Sequence, residues 1–87
     1  MKELKKYKLV LIEWVDAQSD CKWASKEELE KWVKQDCIIY DIGWIAIETK
    51  KYIVLSSQFG NEDGEWGNRT KIPTEWIRKR TKVKINY

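Results

Sequence analysis

Eighty-seven residues, 43% of them apolar and 36% charged, with a net charge of +3, make one domain with a single core and no room for a second. The chain contains no histidine. This removes the ordinary general base near neutral pH, every Ser-His or Cys-His pair and the commonest metal ligand, so neither an enzyme nor a cofactor is expected. The two cysteines, Cys21 and Cys37, form no CxxC pair and read as free, mostly buried thiols of a reducing cytoplasm.

The opening MKELKKYKLV is basic but has no apolar run long enough for a signal peptide. No later segment approaches the roughly 18 apolar residues of a membrane span, so a soluble intracellular protein is expected. From Tyr7 to Val15 the chain is β-branched and aromatic without a breaker. Both alternating sets (Tyr7, Leu9, Leu11 and Val10, Ile12, Trp14) are apolar, which predicts a strand covered on both faces. A polar loop carrying Trp23 leads to SKEELEKWVK, where Ser25 and Glu28 are spaced as a capping box. Leu29, Trp32 and Val33 form an i, i+3, i+4 stripe there, predicting a helix over 26–35 that packs by Trp32.

Cys37–Glu48 reads as a strand with a bend at Gly43, and Tyr52–Phe59 as its hairpin partner after the turn ETKK. The loop GNEDGEWGN has oxygen ligands at alternate positions but not the twelve-residue calcium pattern, so it reads as a solvated loop. A short strand over 69–72 stops at Pro73, a single turn fits 74–78, and residues 81–87 form the last strand. Most of the six tryptophans are expected in the core.

The expected class is therefore mainly β with one short α-helix, a single domain over 1–87. Five strands with a turn at Ile72, Pro73, Trp76 and Ile77 resemble an SH3-like small barrel, with the helix inserted after the first strand. A second resemblance spans nearly the whole chain. Trp14 and Asp16, Trp23, Gly43 with Trp44, Tyr52, Val54 and Leu55, and Ile72, Pro73 and Ile77 are similar to the pattern of a family of small proteins encoded by bacteriophages and prophages, with Cys21 and Lys22 where that pattern has small residues. The resemblance implies a phage accessory role in the cytoplasm of a bacterial host cell and brings no settled chemistry with it.

Charge is polarised along the chain. Residues 13–48 carry nine acids against four lysines, a balance of −5, whereas residues 69–84 carry seven bases against Glu75, a balance of +6. Such asymmetry predicts an anionic partner or an oligomer whose acidic and basic faces meet. In an extended tail Arg78, Arg80, Lys82 and Lys84 share one face, a ridge able to track phosphates while spare aromatics stack bases. An edge strand carrying Lys and Arg to prevent unwanted sheet pairing has the same composition.

Three functions fit. The first is a non-enzymatic, homo-oligomeric protein that sequesters an anionic nucleotide, such as a host immune second messenger, as an anti-defence device. The second is a small barrel binding single-stranded RNA or DNA. The third is a protein–protein inhibitor or adaptor with aromatic anchors. The candidate ligand contacts are Trp14, Asp16, Trp23, Trp66, Arg69, Arg78, Arg80, Lys82 and Lys84.

Overall fold

A computed structural model describes residues 3–87; residues 1 and 2 of the expected domain lie outside the described residues. After a 3-10 turn at Leu4–Lys6 come β1 (Leu9–Asp16), α1 (Lys26–Trp32), β2 (Cys37–Glu48), β3 (Tyr52–Phe59) and β4 (Trp66–Pro73). A second 3-10 turn (Thr74–Trp76) leads into β5 (Ile77–Lys82). All strands join one antiparallel sheet in the order β4-β3-β2-β1-β5. The mainly β class with one helix after the first strand is thus what forms. No ladder joins β4 to β5 among the described residues, so the sheet is open and has two edges.

The last strand lies earlier than its sequence predicts, because β1 decides where it can pair. The ladder runs from Trp14↔Ile77 to Val10↔Lys82, with an irregularity between Glu13 and Trp14. Likewise β4 starts at Trp66 rather than Arg69, because Trp66 pairs with Phe59. The turn after Pro73 forms as expected, and Thr74 N–H donates to the Lys51 carbonyl (2.8 Å), tying it to the β2–β3 hairpin.

The core is aliphatic: Val10, Ile12, Ile45, Ile53, Leu55 and Ile72, with Trp14 and Ile77 packed against it. The expectation of a tryptophan core is corrected. None of the six indoles is fully buried; Trp14, Trp32, Trp44 and Trp66 are half-buried, and Trp23 and Trp76 are exposed. A single sheet of five short strands encloses room for aliphatic side chains, and the indoles lie at its rim where a polar N–H can find a partner. Among the described residues the one buried polar side chain is Ser56, whose hydroxyl shares its single proton between the Gln58 carbonyl of its own strand and the Gly67 carbonyl, the latter joining β3 to β4. Close by, a Cβ at Gly43 would stand 2.8 Å from the Ser56 carbonyl oxygen, so only glycine lets β2 and β3 approach this closely.

Two further expectations are corrected. Val10, Ile12 and the edge of Trp14 face the core, whereas Leu9, Leu11 and Val15 stay half-buried on the outer face. The helix is capped as predicted, with Ser25 Oγ accepting from Glu28 N–H at 3.2 Å, but it is seven residues long and buries none of them. The segment 17–36 stands off the end of the β1–β2 ladder as an arm, and the molecule measures 56 × 24 × 23 Å. Its stripe therefore has no core to pack on. Trp32→Ala, which a packed helix would make severely destabilising, is expected to change the unfolding free energy by about 1 kcal/mol or less in a urea titration. A loss of about 3 kcal/mol would mean that the arm folds down onto the sheet.

Both cysteines are free, but Cys21 is exposed on this arm rather than buried, and Cys37 is half-buried. No helix among the described residues is long and apolar enough to cross a membrane.

Candidate functional site

The nine expected ligand contacts do not converge. Trp14 belongs to the core rim: it stacks on Trp76 (6.2 Å between centroids) and its Nε1 donates to Asp41 Oδ2 at 2.8 Å. Asp16 closes the end of β1 by accepting from the Ala17 amide. Trp23 is fully exposed on the arm, beside a cavity of about 370 Å³ that it lines with Leu29 and Trp32. Trp66 packs between Tyr7 and Phe59, each 4.8 Å away. Arg69 is exposed on β4, opposite Ser56.

The basic ridge is divided as well. Arg80 and Lys82 stand opposite Ile12 and Val10, on the core side of the sheet, while Arg78 falls in the β1–β5 irregularity and Lys84 lies beyond β5. Arg78 meets Asp36 at 3.4 Å, and Arg80 holds Glu48 with two hydrogen bonds (2.7 and 3.4 Å). Two of the four cations are therefore already engaged within the chain.

The Arg80 hydrogen bond is the main reason why the Glu48 carboxyl lies below its ordinary value of 4.5; Arg80 and Lys8 add field, and burial opposes them. A carboxylate with a lowered folded pKa contributes stability that is present above the unfolded pKa and is lost as pH falls through the folded one. Glu48→Gln is accordingly expected to flatten the acid limb of the stability–pH curve below about pH 4.5. Equal acid limbs in thermal melts of the two proteins would remove this pair as a stabilising contact.

Lys82 and Lys84 do something different. The Val83 amide donates to the Leu9 carbonyl (2.9 Å), carrying the β1–β5 contact past the end of the strand, and the Ile45 amide donates to the Lys8 carbonyl (2.8 Å) on the other side of β1. The first bond holds the N-terminal segment against the C-terminal one, and the second fixes it to β2. Between them runs an open groove of about 350 Å³, lined by Lys5, Lys6, Lys8, Lys82 and Lys84 with Tyr7, Leu9, Val83, Ile85 and Tyr87. No acid lines it. Lys6 touches Glu3 at 3.9 Å, whereas Lys5, Lys8, Lys82 and Lys84 form no ion pair among the described residues.

The aromatics of the groove are held in place. Tyr7 has Trp66 against its ring at 83°. Tyr87 accepts a hydrogen bond from Trp44 Nε1 (3.3 Å), and Lys5 Nζ lies 5.6 Å from its ring centroid. Sequence reasoning missed Lys5, Lys6, Lys8, Tyr7, Tyr87 and Trp44. The signal was the KKYK run, which places lysines around a tyrosine as the C-terminal KVKINY does. Five ammonium groups around one groove repel one another, and a bound anion removes that cost. Protection of the β5 edge accounts for Lys82 but not for three lysines arriving from the opposite end of the chain.

The loop after β3 closes on itself, with Glu65 N–H donating to Asp63 Oδ1 (3.0 Å) and Gly64 at φ 68°. No cluster suited to a metal ion occurs among the described residues. No family model, no curated protein and no solved structure matches this chain.

Proposed function

We propose that this chain is a non-catalytic binding protein that holds a single strand of RNA or DNA by its phosphates along the lysine groove. The observation that carries the reading is the convergence of five lysines from the two ends of the chain on one acid-free groove flanked by anchored tyrosines. Cations in such a groove neutralise phosphates, and an aromatic ring offers a stacking surface that accepts any base. The openness of the groove favours a strand that runs through it over a small soluble nucleotide, which needs enclosure.

The strand order and the 3-10 turn before β5 support a relationship to SH3-like small barrels, which carry many functions on one architecture. The likeness to phage-encoded proteins supports an accessory role in an infected bacterial cell.

The test is fluorescence anisotropy of labelled oligo(dT) and oligo(rU) across a salt series. Neutralisation of three to five phosphates gives a slope of log K on log salt of roughly −2 to −3.5. Absence of binding at low salt overturns the reading. Tight, salt-insensitive retention of a mononucleotide or cyclic dinucleotide, with no oligonucleotide binding, replaces it with nucleotide sequestration.

A further inference from the structure

Two apolar surfaces of this chain lack a partner among the described residues, and they are complementary in kind. The arm presents Leu29 of α1 (47% exposed) and Val33 at the helix C-cap (70% exposed) beside the fully exposed Trp23. On the sheet, the register puts Ile38, Tyr40 and Ile42 of β2 on the same side as Val15, Glu13 and Leu11 of β1. Tyr40 and Ile42 are 63% and 56% exposed. An apolar helix stripe and an apolar sheet face are the two halves of an ordinary helix-on-sheet layer. Here both halves belong to one chain, yet its own helix is held away on the arm.

The geometry points to a second copy of this chain as the occupant: a two-fold dimer in which the arm of each protomer lies across the outer β1–β2 face of the other. Area supports it. A compact chain of this mass exposes about 5,400 Å², whereas this one exposes 7363 Å², and a standard interface takes only about 800 Å² from each partner. The radius of gyration, 17.0 Å, likewise exceeds the roughly 12 Å of a compact chain of this length.

Exchanged reciprocally about one two-fold axis the two contacts close at two copies, whereas a one-way contact would propagate. None of these side chains lines the lysine groove, so the inference stands apart from the proposed function.

Sedimentation velocity over a concentration series tests it. The wild-type chain is expected to sediment with twice its chain mass. Val33→Glu on the helix and Ile42→Glu on the sheet are each expected to weaken association at least tenfold. Both positions are exposed, so the circular dichroism spectrum should be unchanged and the unfolding midpoint should equal that of the wild-type chain diluted to its monomer, which separates lost association from lost folding.

The two variants mixed should associate more than either alone, because one helix-on-sheet contact is then intact. A wild-type monomer at every concentration overturns the proposal. So does a dimer indifferent to both substitutions, or a mixture no better than its components. A monomer that instead binds a different protein through Val33 and Ile42 assigns the surfaces to that partner and overturns the second copy.

Discussion

Ile12→Ala is expected to cost about 4 kcal/mol in unfolding free energy, read from a urea titration, and to leave a chain that is partly unfolded at physiological temperature. Ile12 has no exposed surface and stands on β1 between Asp41 of β2 and Arg80 of β5. Its side chain reaches a core of only six buried residues, so few neighbours can move in to fill the space left. Removing three carbons there loses their transfer energy and leaves a cavity. The contrast with Trp32→Ala is the informative part. The larger side chain is expected to matter less, because the arm that carries it lies outside this core. A cost below about 1.5 kcal/mol for Ile12→Ala would mean that the sheet closes up around the vacancy, as a loosely packed one can.

The second large effect concerns the groove. Lys82→Glu with Lys84→Glu is expected to weaken oligonucleotide binding by roughly 100-fold or more at low salt and to reduce the salt slope by about 1.5. Each substitution removes a phosphate contact and sets a carboxylate among the three remaining lysines, where it neutralises them in place of the ligand. Arg69→Glu with Lys71→Glu makes the same change in net charge from positions that do not line the groove, and is expected to retain affinity within about threefold. Equal losses in the two double variants would show that binding follows overall charge and that the groove has no special part in it.

The arginines of β5 show why the ridge could not be located from residue types alone. Period-two alternation put Arg78, Arg80, Lys82 and Lys84 in one row. Pairing with β1 introduces an irregularity at Glu13/Trp14, and the ends of β2 and the arm supply Glu48 and Asp36. Ion pairs over separations of 32 and 42 residues depend on how strands are laid side by side. No local pattern contains that information. The same holds for the groove, whose two walls are the two ends of the described chain.

Local chemistry decided much of this protein before any tertiary contact formed. The run of β-branched residues made β1; alternation and the ETKK turn set β2 and β3 at Cys37–Glu48 and Tyr52–Phe59; Ser25 and Glu28 began the helix; Pro73 placed the turn before β5. Each of these depends on residues within a few positions of one another, where backbone sterics and nearby hydrogen bonds dominate. Tertiary structure alone decided which apolar surface became core. The tryptophans were read as interior because large rings bury most area, yet an open five-stranded sheet had room only for aliphatic side chains and left the indoles at its rim and on the arm. It also decided which cations stayed unpaired: strand order consumed Arg78 and Arg80 and brought Lys82 and Lys84 beside Lys5, Lys6 and Lys8, because charge pairing depends on distance through space and the sequence records only distance along the chain.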